Sequence, residues 1–178
     1  MSQVVLRGRA SELGTVLGAM RRVERVGAGS MIVLTGEPGI GKSALLRAVV
    51  EQVARSGAVV GMGRAEEIDQ IALGAPLLLA LRSGPRPLVG GSEFAQLASL
   101  YDQQLWLVER ISGILEDAAA QAPVVIAVDD VHWADRLTRF ALRILPGRLA
   151  ASPVTWESAR SRPTGKTGGD SRSPSLTT

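Results

Sequence analysis

The sequence has no cysteine among its 178 residues and only one histidine, His132. Disulfide staples and thiolate zinc sites are therefore excluded, and one imidazole without thiols offers no metal-ligand cluster. A cysteine-free chain fits a reducing compartment, and a cytoplasmic location is the expectation. Long apolar runs are lacking too. No stretch reaches the ~18 residues needed to span a bilayer, and the run from Ile71 to Leu81 is interrupted by Gly74 and Pro76. The start, Met1-Ser2-Gln3, lacks the charged segment and apolar core of a secretory leader. Aromatic residues make up 3 %, so the core must rest on Leu, Val, Ala and Ile, and no basic surface interleaved with aromatics is evident. Lysine is nearly absent, with Lys42 and Lys166 only. The formal net charge of +3 is mild. Arg21, Arg22 and Arg25 cluster on a predicted first helix and read as a solvated face. The length fits one domain, and no internal repeat is visible.

Against these absences stands one dense motif. Gly36-Glu37-Pro38-Gly39-Ile40-Gly41-Lys42-Ser43 fits the pattern G-x-x-x-x-G-K-S/T of a phosphate-binding P-loop. Ser30 to Thr35 before it reads as a buried strand, and Ala44 to Glu51 after it as a helix. The glycines let the backbone turn and aim N–H groups inward, and the helix start adds its own N–H groups and dipole. Lys42 can reach the terminal phosphates, and Ser43 can offer its hydroxyl to Mg²⁺. The segment from Gly36 to Ala44 is thus the expected nucleotide cradle.

A second segment supplies carboxylates. Pro123-Val124-Val125-Ile126-Ala127-Val128 reads as a fully buried parallel strand, followed by Asp129 and Asp130. Ligands bind at the carboxyl ends of such strands. Asp129 is expected to hold Mg²⁺ beside Ser43, and Asp130 to polarise the attacking water. The interval between the two motifs leaves room for further strand–helix units. Gly57 to Met62 reads as a second strand. From Phe94 to Ala120, the spacing of Leu100, Leu105, Val108, Ile111 and Leu115 predicts helix. Asp135 is placed to cap a helix over Arg136 to Arg148. For His132 two readings stay open: a sensor of the γ-phosphate, or a helix-entry residue packed on Trp133.

The string Asp129-Asp130-Val131-His132-Trp133-Ala134-Asp135, with the P-loop upstream, resembles the ATPase domain of large LuxR-type transcriptional regulators. These are AAA-like P-loop ATPases of the signal-transducing STAND group. Gly8, Arg9, Glu12 and Leu13 are similar to their N-terminal V-G-R-x-x-E-L motif, which implies that Arg9 lies near the adenine. Ala75-Pro76-Leu77 to Leu81 looks like their P-F-x-x-L segment. The resemblance runs from about Val5 to about Arg160. It implies an α/β P-loop NTPase sandwich with a parallel sheet of order 5-1-4-3-2, ATP and ADP with Mg²⁺ as cofactors, and an ATP-dependent switch with slow hydrolysis. Self-association is among the interactions it implies. DNA contact in that family belongs to a distant C-terminal helix-turn-helix, so none is expected from this chain.

Beyond Arg148 the pattern departs from the family. Relatives carry a clean apolar strand here, whereas Glu157 and Ser158 interrupt this one; Arg160 stands where a phosphate-sensing arginine would be. From Ser161 the chain holds one aliphatic residue, Leu176, and is expected to be a disordered tail after an ATPase domain over 1–160. On this reading the sheet is C-terminally incomplete, its P-loop strand is left with a bare edge, and the chain is a truncated relative. The alternatives are a non-catalytic nucleotide-binding remnant or interaction module and, more weakly, a small-molecule kinase.

Overall fold

The computed structural model describes residues 9–68, 73–161 and 175–177. Its elements follow the chain as α1 (Ala10–Val26), β1 (Ser30–Gly36), α2 (Lys42–Arg55), β2 (Val59–Arg64) and α3 (Ala75–Arg82). Then come α4 (Gly91–Ser99), α5 (Gln104–Ala119), β3 (Val124–Asp129), a 3₁₀ turn at Val131–Trp133, α6 (Arg136–Arg148), β4 (Val154–Ser161) and β5 (Ser175–Thr177). The sheet order is β2-β3-β4-β1-β5. The first four strands are mutually parallel. β2-β3-β4-β1 is the predicted P-loop NTPase order read from the opposite edge, without its fifth strand; β5 pairs antiparallel instead.

Alternation along each strand sorts the core into two layers, because successive side chains point to opposite faces. Val124, Ile126 and Val128 of β3 join Val154 and Trp156 of β4 under α3, α5 and α6. Val125, Ala127 and Ala159 face the other way, with Ile32 and Leu34, against α1 and α2. Every residue of β3 is buried, as its unbroken apolar run demands. Two glycines set the spacing of α3 on β2. A Cβ on Gly61 would strike the carbonyl of Ala80, and one on Gly63 that of Pro76.

Four expectations need correction. The second strand runs to Arg64, two residues past Met62. The helical pattern from Phe94 to Ala120 is two helices separated by a turn, where the Leu100 amide bonds Leu97 O and the Gln103 amide bonds Leu100 O. Leu105, counted in that spacing, is 70 % exposed, while Leu107 is 1 % exposed. The P-loop strand is not bare along its whole edge. Ser175–Thr177 pair antiparallel with Val33 to Thr35 of β1. An unpaired strand edge offers a row of N–H and C=O groups that an extended segment can satisfy, so a tail without structure throughout 161–178 does not hold at these three residues. Residues 162–174, which that expectation also covered, lie outside the described residues. Finally, Glu157 and Ser158 do not interrupt β4. The strand continues through them, paired to Ile32 and Val33 of β1 on one side and to Ala127 and Val128 of β3 on the other.

Candidate functional site

The strands β1, β3 and β4 end together on one edge of the sheet, and the two motifs meet there. The loop after β1 turns through left-handed backbone at Gly39 (φ 77°) and Gly41 (φ 95°), conformations that favour glycine. A Cβ on either would meet nothing within 4 Å, so the loop encloses open space. α2 starts at Lys42, and its first intrahelical bond runs from the Leu45 amide to Gly41 O. The amides of Lys42, Ser43 and Ala44 precede any such partner, as in every helix's first turn. Glu37, Pro38 and Gly39 are exposed at the loop's crest, and Ile40 is half-buried.

Lys42 is 5 % exposed although it carries an ammonium. Its Nζ donates to Gly36 O at 3.1 Å and Glu37 O at 2.8 Å, across the loop's own base. Burial pulls its pKa below the ordinary lysine value, and the carboxylates of Asp130 and Asp129 act in the opposite sense. The lysine therefore sits within the field of both aspartates. Asp129 is 1 % exposed. Its Oδ1 accepts the Asp130 amide at 3.0 Å, while Oδ2 is buried with no hydrogen-bond partner. A buried, unpaired carboxylate oxygen is costly unless something cationic meets it. Hydroxyl and carboxylate oxygens are the donors Mg²⁺ takes, so Ser43 and Asp129 fit that ion. The open, amide-lined loop likewise fits phosphate oxygens.

Asp130 is the one non-glycine residue with positive φ (52°) among those described. Three contacts hold it: its amide on Asp129, its carbonyl accepting the Trp133 amide at 2.8 Å, and its Oδ2 at 3.3 Å from Arg64 Nη2. Sequence reasoning missed Arg64 because it ended β2 too early. No local signal marked it, because the end of β2 is set by the register that places Arg64 opposite Asp129. Arg9 reaches the P-loop from outside: Nη2 donates to Ile40 O at 2.5 Å and Nη1 pairs with Glu12 at 3.2 Å. Arg160 is exposed at the end of β4, in register with Thr35. His132 and Trp133 are exposed in the 3₁₀ turn, rings 5.1 Å apart and tilted by 44°. Asp135 caps α6 as expected. Its Oδ1 accepts the amides of Leu137 and Thr138, and its Oδ2 the Thr138 hydroxyl. No cluster of three or more metal-ligating side chains occurs among the described residues. Among them, too, no helix is long and apolar enough to cross a membrane. A surface groove of about 520 Å³ between α4 and α5, beside Leu97, Leu100 and Trp106, takes in none of these site residues.

The sequence from 5 to 156 matches the family model described as an AAA ATPase domain. No curated protein matches the chain. Among solved structures, it is similar to a DNA replication initiation factor at 12 % identity and a TM-score of 0.48, over 89 % of this chain and 39 % of that one. It is also similar to C. elegans PCH-2 at 15 % identity and a TM-score of 0.46, over 88 % of this chain and 38 % of that one. The chain thus spans about two fifths of the length of either structure.

Proposed function

The chain belongs to the AAA ATPase domain family, and from that premise we propose that it is an ATP-binding switch domain of the LuxR-type regulator class, with slow Mg²⁺-dependent hydrolysis. The observation that carries this reading is a buried acid with one unpartnered carboxylate oxygen, Asp129, at the same edge of the sheet as the buried P-loop lysine. Lys42 feels both Asp130 and Asp129, and Asp129 Oδ2 has no partner of its own. In this reading the backbone N–H groups of the Gly36–Ala44 segment, all but Pro38, hold phosphate oxygens, and Lys42 leaves the carbonyls of Gly36 and Glu37 to meet the terminal phosphates. Ser43 and Asp129 would hold Mg²⁺, which when bound neutralises charge on the phosphates. Asp130 orients and accepts a proton from the attacking water. Arg9, anchored on Ile40 O, ties the start of α1 to the cradle on the side assigned to adenine. Self-association on ATP binding and a link to transcription belong to the same proposal.

A second reading is a binding module without turnover. The contact that favours it is Arg64 on Asp130 Oδ2, since a carboxylate held by a guanidinium is less available to water. Thermal unfolding of the chain and of Lys42→Ala, each with Mg-ATP or Mg-ADP, tests binding first. Ligand at about 100 times its dissociation constant stabilises by about 2.7 kcal/mol, a rise of several degrees in Tm. A rise in the native chain that vanishes in Lys42→Ala supports the site. An equal rise in both chains sinks it. Phosphate release under the same conditions then separates the two readings.

A further inference from the structure

α6 contains no acidic residue, and its buried side chains, Leu137, Thr138, Ala141, Leu142 and Leu145, mark one face. At about 100° per residue, Arg136, Arg139 and Arg143 fall on the opposite face, within about 60° of one another. All three are exposed. Among the described residues none of their guanidinium groups has an ion pair or hydrogen bond, whereas Arg148 is engaged with Glu109 of α5. The carboxylates just upstream are already committed. Asp135 is buried in the cap, and Asp130 faces Arg64. From Val131 to Arg148 no carboxylate therefore competes for the stripe. At its head stand the exposed His132 and Trp133 rings. In the sequence the three arginines are separated by Leu137 and Thr138 and by Phe140, Ala141 and Leu142; only the helix collects them on one side.

We propose that the outer face of α6 binds single-stranded nucleic acid, with Arg136, Arg139 and Arg143 on successive phosphates and Trp133 stacking a base. Guanidinium forks match phosphate oxygens bidentately. The stripe is about 10 Å long, which suits roughly three nucleotides. The exposed indole of Trp133, three residues before Arg136, offers a stacking platform for any base, for which an acidic peptide has no use. This departs from the expectation that the chain makes no DNA contact. That expectation rested on the family's helix-turn-helix lying elsewhere and on no basic surface interleaved with aromatics being evident along the sequence, where the arginines of α6 are spread out.

The test is fluorescence anisotropy of the full chain with a labelled 20-nucleotide oligo(dT), across a salt series. Three phosphate contacts give a slope of log affinity against log salt near −2, at about 0.7 per contact. In R139A/R143A the slope falls to about −0.7. W133A weakens binding by about tenfold with the slope unchanged, because stacking releases no counterions. The triple variant R136K/R139K/R143K keeps the slope and loses affinity. Thermal transitions of all variants report the fold. No binding, or binding that R139A/R143A leaves intact, overturns the proposal. So does displacement by polyglutamate as effective as by unlabelled oligo(dT), together with an inert W133A, which would mark an acidic-protein surface instead.

Discussion

At Asp130 a left-handed backbone, a carbonyl bonded to the Trp133 amide and an ion pair with Arg64 converge on one residue. A non-glycine residue in that conformation is strained and persists only where its surroundings over-determine it. The pair with Arg64 is half-exposed, so its own contribution to stability is small, of order 1 kcal/mol or less. Its consequence lies in chemistry. Arg64→Gln is expected to raise kcat for ATP hydrolysis several-fold with KM unchanged, because Asp130 is released while the phosphate cradle is untouched. Steady-state kinetics decide this, and a fall in kcat would mean that the guanidinium orients Asp130 rather than restrains it. Asp135 answers to different physics. It accepts two amides and a hydroxyl while buried, so Asp135→Ala strands three donors. A loss of about 2–3 kcal/mol is expected in denaturant unfolding, and a loss under 0.5 kcal/mol would show that water replaces the cap.

Elements were legible in the sequence wherever their signal was local. β1, the P-loop, α2, β3 and the Asp135 cap follow from short strings whose chemistry admits few alternatives. What was not legible depended on partners distant in sequence. The end of β2 at Arg64 is set by pairing with Asp129. The break between α4 and α5 occurs without proline or glycine at Leu100 to Gln103, so periodicity ran straight through it. β4 looked interrupted at Glu157, yet strands on both sides hold it extended. Nor does composition say why β2 carries glycine twice, at Gly61 and Gly63; the carbonyls of α3 above them do. Gly63→Ala is therefore expected to push α3 off the sheet at a cost of about 1–3 kcal/mol. The melting temperature would report it, and an unchanged value would show that α3 shifts freely.

Across the whole molecule one buried acid couples the sheet to pH. Glu157 lies in β4, the strand that joins β1 to β3, and is 1 % exposed with neither carboxylate oxygen hydrogen-bonded. Burial alone pushes its pKa from 4.5 up to about 8. The sign follows from proton counting. Between those two values the folded chain keeps a proton that the unfolded chain has lost, so stability falls as pH rises. The slope is about 1.4 kcal/mol per pH unit. The glutamate thus costs the fold about 3 kcal/mol at pH 7 relative to pH 4.5, and the loss stops growing above pH 8. Valine suits a strand buried on both faces and needs neither solvation nor a partner. Glu157→Val is expected to be more stable at pH 7 by about that amount, and the difference between the two chains should shrink steadily as pH is lowered towards 5. Urea unfolding of both chains at half-unit pH steps measures that difference directly, because every other titrating group cancels. A difference that stays constant with pH would mean that Glu157 is ionised in the folded sheet, and that a counter-charge or water reaches it there.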